Sequence, residues 1–289
     1  MLIAHITDLH VQSTPRLQDM TGKRIIGTAN LYLLGRRSKF SIAAQRAAIS
    51  AVVDRQPDAV MFTGDLTAQS LDAEFSAGRE LMEPILSRFP TVMIPGNHDT
   101  YVREKTPGDR MREMFGQWMG EATPHLHRIG DVAFLTLETC RCHPLSSGYT
   151  PEEQLDVARE LLAQNDAAYT FLCIHYPLVG RRGEAYGPAT RALSNAETVR
   201  EWVASTPGIN AIVHGHEHHG FHVQIAGPKH TIDVLDPGAS GYAHLPEQDR
   251  TAHVCFYRIE KRRLVSIERM RFDGTDFKPE PGGPFSTGR

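Results

Sequence analysis

At 289 residues and 32.2 kDa, with 40% hydrophobic and 22% charged residues, the chain has an ordinary globular composition and the length of one large domain or two modest ones. A formal charge of -3 gives no general attraction to a polyanion such as duplex DNA, and no apolar run approaches the length that spans a bilayer. Four cysteines, Cys140, Cys142, Cys173 and Cys255, are too sparse for a disulfide framework or a zinc knuckle.

An apolar, strand-like run begins almost at once, over residues 2–7, with no basic leader and no small-residue cleavage site before it. Together with the sparse cysteines, this makes a reducing, cytoplasmic location the expectation. His5 lies inside the run, where a packed imidazole is expected. Residues 16–39 follow, with Arg16, Lys23, Arg24, Arg36, Arg37 and Lys39 against Asp19 alone, a local charge of +5. Leu17, Met20, Ile25, Ile26, Leu31, Tyr32, Leu33 and Leu34 are interleaved with them. Such an insertion reads either as a cap meeting an anionic or lipid-bearing substrate, or as a helix docked on the domain with a solvated basic face.

Ser41 then opens a helix in which Ile42, Ile49, Val52 and Val53 share roughly one face. Strand-like runs at 59–63, 91–94, 132–137, 169–174 and 210–213 alternate with helical patterns, which predicts an α/β layered core. Thr150-Pro151-Glu152-Glu153 supplies an N-cap, a proline at the first helical position and a capping-box Glu, and Ser194-Asn195-Ala196-Glu197 a second capping box. In the last third, runs at 221–226, 231–235, 253–259 and 264–271 read as consecutive strands with antiparallel pairing. One catalytic domain over 1–272 and a loose tail over 273–289, rich in proline and glycine, complete the expected organisation.

The chemistry lies in five short polar clusters, each just after a strand-like run: Asp8-Leu9-His10, Gly64-Asp65, Gly96-Asn97-His98-Asp99, His175 and Gly215-His216-Glu217-His218. In open α/β sheets the loops beyond the carboxyl ends of strands converge on one rim, so one arrangement brings all five together. Gly64, Gly96 and Gly215 are expected to permit sharp turns before a ligand. Asp8, His10, Asp65, Asn97, His175, His216 and His218 are too many donors for one metal ion and suit two. Two ions about 3.5–4 Å apart need a bridging group, a role fitted to the two oxygens of Asp65. Water between them would be acidified and could attack phosphorus in line. Mixed imidazole, carboxylate and amide donors favour Mn or Fe, with Zn a further candidate, over Mg or Ca.

This ordered set resembles the signature of the calcineurin-like metallophosphoesterases: D-x-H, G-D, G-N-H-[DE], a lone H and G-H-x-H, spread here over residues 8–218. The resemblance implies a four-layer αββα sandwich with two mixed β-sheets. It implies one ion on Asp8, His10, Asp65 and His218, and another on Asp65, Asn97, His175 and His216. His98 would act beside the leaving group as general acid or charge stabiliser, and Asp99 would orient the site. Protein Ser/Thr phosphatases of this superfamily continue the second block as G-D-x-x-D-R-G, whereas this chain reads Gly64-Asp65-Leu66-Thr67-Ala68-Gln69-Ser70. The pattern is closer to the branch of bacterial cyclic-nucleotide and glycerophosphodiester phosphodiesterases.

The expected activity is hydrolysis of a small phosphodiester, cyclic nucleotides first. Alternatives are a phospholipid or lipid-linked headgroup esterase meeting anionic lipid through residues 16–39, and a non-catalytic scaffold, which would be expected to lose ligand histidines. A DNA nuclease lacks a long basic groove-forming stretch here. Arg181 and Arg182, after the His175 cluster, are candidates to grip a substrate anion. His214, His219 and His222 are read as supporting or surface groups, and Cys140-x-Cys142 as reduced thiols.

Overall fold

The computed structural model describes residues 1–33 and 35–286. Leu34 of the basic segment and residues 287–289 of the expected tail lie outside the described residues, as do the side chains of Asn30, Leu33 and Arg36. Twelve strands form two six-stranded sheets. The first holds β1 (Leu2–Ile6), β2 (Ala59–Phe62), β3 (Thr91–Met93), β10 (His253–Glu260), β11 (Arg263–Phe272) and β12 (Phe277–Pro279), ordered β12-β11-β10-β1-β2-β3. The second holds β4 (His125–Ile129), β5 (Val132–Thr136), β6 (Tyr169–Cys173), β7 (Ala211–Val213), β8 (Phe221–Ala226) and β9 (Thr231–Asp236), ordered β4-β5-β6-β7-β9-β8. Both are mixed: β1, β2 and β3 run parallel beside antiparallel β10, and β5, β6, β7 and β9 run parallel between antiparallel edges.

Alternation along each strand divides the core into three. Ile3, Met61, Val92, Phe134, Phe171, Val213 and Tyr257 fill the space between the two sheets. Ala4, Ile6, Val60 and Phe62 face the other way, against α2 (Ile42–Arg55), α3 (Asp72–Leu86) and α4 (Asp109–Met119). Leu135, Leu172 and Ile212 pack against α5 (Glu152–Ala163) and α6 (Ala196–Ser205). Helix, sheet, sheet and helix therefore stack as the expected four-layer αββα sandwich.

Several local expectations change. Ser41 caps α2 as expected, accepting a hydrogen bond from Ala44 N at 3.2 Å, but other readings shift. Ile42 is exposed, and Ala44 and Ala48 join Ile49 and Val52 on the buried face. Neither capping box forms. Asn195 instead brackets the Thr150 backbone, accepting from its N at 3.1 Å and donating to its O at 2.7 Å, while Ser194 Oγ donates to Gly148 O. These longer-range bonds hold the Thr150 backbone and take up the Asn195 and Ser194 side chains, while the buried Thr150 Oγ1 is left without a hydrogen-bond partner. Residues 277–279, inside the segment expected to be loose, pair as β12 with β11. Glu280 then meets the buried Arg269 guanidinium at 2.7 Å, an ion pair that fastens the segment.

In the basic segment, α1 (Lys23–Leu33) buries Leu31. Arg24 is also buried, donating to Gln69 O at 3.1 Å and to Ser70 O. That cation therefore braces the loop after β2 instead of facing solvent. Leu17, Ile25, Ile26 and Tyr32 remain exposed. No helix among the described residues is long and apolar enough to cross a membrane.

Candidate active site

The parallel strands deliver all five clusters to one rim. The loops after β1 and β2 run side by side: Asp8 N donates to Gly64 O, His10 N to Asp65 O and Val11 N to Leu66 O, at 2.7–2.9 Å. Asp99 ties in the loop after β3. Its carboxylate accepts from Leu66 N, Thr67 N, Thr67 Oγ1 and Gly96 N at 2.8–3.1 Å. Burial and the nearby Asp65 charge push the Asp99 carboxyl up to about 6. Asp99 thus acts as a clamp between loops.

Backbone conformation singles out the same residues. Among the described residues, eleven that are not glycine have positive φ, and five of them are Asp8, His10, Asp65, His216 and His218. A left-handed backbone at such residues is costly and persists where surrounding contacts enforce it, as at functional sites. Gly64 supplies the expected turn freedom, with φ +101. Gly96 and Gly215 are required for another reason. A Cβ on Gly96 would strike Asp65, and one on Gly215 would strike Thr7 and Asp8.

The side chains form two groups. Ligand atoms of Asp8, His10, Asp65 and His218 lie within 4.8 Å of one another, as do those of Asp65, His175 and His216. Asp65 belongs to both: Oδ2 lies 3.5 Å from His10 Nε2, and Oδ1 lies 3.4 Å from His175 Nε2. Asn97 joins the second group, with Oδ1 2.8 Å from His216 Nδ1 and 3.2 Å from His175 Nε2.

The proton inventory shows that these groups fit cations. His175 Nδ1 donates to Thr63 O at 2.7 Å and His216 Nε2 to Arg191 O at 2.9 Å, which turns the other nitrogen of each ring inward. Burial and the neighbouring His175 hold the His216 imidazole well below its ordinary pKa, so it is neutral and its Nδ1 is an acceptor facing another acceptor, Asn97 Oδ1. Burial opposes charge on His175 too, yet Asp65 overrides it and raises His175 to about 9. The carboxylate draws positive charge to that spot.

In the first group, Asp8 Oδ2 accepts from His216 N and Thr7 Oγ1, whereas buried Asp8 Oδ1 has no hydrogen-bond partner. It faces His218 Nε2 at 3.2 Å, which in turn faces His10 Nε2 at 3.1 Å. The orphaned Asp8 oxygen with two facing imidazoles in the first group, and the facing acceptors of His216 and Asn97 in the second, fit a borderline divalent ion in each.

These groups floor a cavity of about 470 Å³. His98 lines it, its Nδ1 donating to Ala68 O at 2.6 Å, its N to Asp65 Oδ1, and its ring stacked on Tyr101 at 5.2 Å. Arg181 and Arg182 do not line it. Arg181 pairs with Glu217 at 3.0 Å, and the exposed Arg182 donates its backbone N to Glu184. Arg191, Arg250, Lys39 and Tyr242 line the cavity instead. Sequence reading noted Lys39 only within the basic segment and missed the others, which no motif marks. His5 packs as expected, against Tyr257 Oη and Thr63 Oγ1. His214 and His222 sit by Asp236 and Asp233, and His219 by Arg250. All four cysteines are free thiols.

The sequence model of the calcineurin-like phosphoesterase family matches residues 1–220. The chain belongs to that family. With membership comes its class of chemistry, metal-dependent hydrolysis of phosphoric esters. Among calcineurin-like phosphoesterases, it is 26% identical over 203 residues to the 3',5'-cyclic adenosine monophosphate phosphodiesterase CpdA of Haemophilus influenzae, covering 70% of this chain and 69% of that one. It is 22% identical over 200 residues to a probable cyclic nucleotide phosphodiesterase of Vesicomyosocius okutanii, covering 69% and 78%.

Solved structures share the fold at lower identity. A purple acid phosphatase from yellow lupin seeds has a TM-score of 0.62 at 13% identity, covering 96% of this chain and 52% of that one. This chain thus spans about half the lupin protein. A dimetal phosphatase from Danio rerio has a TM-score of 0.57 at 12% identity, covering 96% and 98%.

Proposed function

We propose that the protein hydrolyses small phosphodiesters, with cyclic nucleotides the first class, at a centre of two divalent transition-metal ions. The observation that carries this reading is the division of Asp65 between two groups of ligand atoms. Asp8, His10, Asp65 and His218 would hold one ion, and Asp65, Asn97, His175 and His216 the other. The donor set favours Mn or Fe, with Zn acceptable. Such ions supply Lewis acidity, acidifying water and neutralising phosphoryl oxygens. The relatives known as cyclic-nucleotide phosphodiesterases support this class, as does the absence of the protein-phosphatase sequence after Asp65.

The chain's own residues do the rest. Asp99 and the Thr63 and Arg191 carbonyls fix the loops and rings in place. His98, anchored through Nδ1–H on Ala68 O, presents its other ring nitrogen as proton donor to the leaving alkoxide. The protein loaded with Mn or Fe is expected to cleave bis-p-nitrophenyl phosphate and 3',5'-cyclic AMP. His98→Ala should slow the cyclic nucleotide, whose leaving alkoxide needs a proton, about 100-fold or more, and the p-nitrophenyl ester far less. Equal losses on both would remove His98 from the acid role.

A second reading keeps the reaction and moves it to a lipid surface, favoured by exposed Leu17, Ile25, Ile26 and Tyr32 within the +5 segment. It requires the protein to sediment with anionic vesicles and Ile25→Ser with Ile26→Ser to release it. Wild type that stays in the supernatant rules it out.

A further inference from the structure

We propose that Arg191 and Arg250 form a second anion-recognition subsite in the catalytic cavity. The preferred substrate is then a phosphodiester bearing a further phosphate or carboxylate beyond the phosphoryl group attacked. The inference rests on the phosphodiesterase reading above and narrows its substrate.

The motivating observation is unneutralised charge in a place that handles anions. Nine arginines elsewhere in the described residues pair with a carboxylate. The two that line this cavity do not, as other arginines do not, but these two stand over the candidate metal-ligand groups. Arg250 is half-buried, and its guanidinium is held by neutral groups: Nη1 donates to Tyr242 Oη at 3.0 Å and Nη2 to His219 Nε2 at 2.9 Å. Its plane also lies over the Tyr242 ring at 5.6 Å. Two of the five guanidinium donors are thus used to orient the group, and the others remain for a ligand.

Arg191 is exposed, and its guanidinium makes no hydrogen bond or ion pair among the described residues. Its backbone is nonetheless fixed, because its carbonyl accepts from His216 Nε2. The two arginines come from separate segments, Arg191 ahead of α6 and Arg250 between β9 and β10.

The charge balance of the lining points the same way. Arg191 and Arg250 contribute two cations, against Asp65 and Glu217. Asp65 is committed to the ligand groups, and Glu217 is already paired with Arg181. A phosphodiester carries one negative charge at the reacting phosphorus, and the metal-ligand floor with His98 faces that charge. Two arginines without carboxylates, held beside this floor, match an additional anion, for which guanidinium forks are suited.

Two chromogenic compounds test this with one scissile bond: the p-nitrophenyl ester of thymidine 5'-phosphate, and the same ester carrying a 3'-phosphate. For the metal-loaded wild type, kcat/KM should be about tenfold or more higher for the 3'-phosphorylated compound, chiefly through KM, and the preference should shrink with added salt. Arg191→Gln and Arg250→Gln should each cut that preference several-fold by raising KM for the 3'-phosphorylated compound, and Arg250→Lys should restore part of it. Equal kcat/KM for the two compounds in wild type overturns the subsite. So do variants that lose both activities in equal proportion, since the arginines would then serve the scissile phosphate. If Arg250→Gln fails to fold, Arg191→Gln carries the test, because its guanidinium supports no other group. Turnover of neither compound by wild type sinks the phosphodiesterase reading instead, so the two failures are separable.

Discussion

The two ligand groups share Asp65 yet are built differently. The group of Asn97, His175 and His216 is pinned: both rings donate to backbone carbonyls, although Asn97 and His216 line the cavity. The group of Asp8, His10 and His218 reaches the cavity through His218 alone, whose side chain is 15% exposed. Phe40 packs against both of its rings, at 4.2 Å from His10 and 5.4 Å from His218. Pinned ligands lose less freedom when they bind, so the group with both rings pinned should hold its ion more tightly and the one that includes the part-exposed His218 should exchange first.

The largest expected effect breaks both groups at once. Asp65→Ala should lose about a thousandfold or more in kcat on bis-p-nitrophenyl phosphate and bind less than one ion per chain by metal analysis. Near-normal turnover would dissolve the shared centre. Next comes the contrast itself. His218→Ala should keep roughly one tightly held ion while losing most activity, and His175→Ala should lose the tightly held one. Identical metal content in the two variants would erase the difference drawn between the groups.

The smallest effect concerns the His175 side. Glu138 lies just after β5, one residue before Thr139, whose Oγ1 accepts from His175 N at 3.3 Å. Burial pushes the Glu138 carboxyl up from 4.5 to about 8. The folded protein keeps it protonated where the unfolded chain ionises it, so stability is lost as pH rises from about 4.5 through about 8. Glu138→Gln should therefore match wild type near pH 5 and exceed it increasingly toward pH 8, by on the order of a few kcal/mol at most. A thermal-stability difference that stays flat with pH would contradict this.

Why some of this was readable and some not follows from range. The seven ligand candidates were legible because parallel strands carry their loops to one rim, so a short cluster after each apolar run already implies its neighbours. The layered core followed from the alternation of runs. Residues whose role depends on distant partners left no trace in the sequence. Arg24 reads as a surface cation until Gln69 and Ser70 offer their carbonyls, and Arg250 has meaning only beside Tyr242 and His219. The capping boxes misled because Asn195 and Thr150, 45 positions apart, prefer each other. Strand β12 was hidden by its proline, which an edge position tolerates.

His175 extends from the second sheet to donate to Thr63 at the end of β2 in the first, and His216 N reaches back to Asp8 in the same way. These bonds make the candidate reaction centre a seam between the two halves of the sandwich. An ion seated there would rivet the halves together, so its removal should weaken the mechanical union of the layers as well as any chemistry on their shared edge.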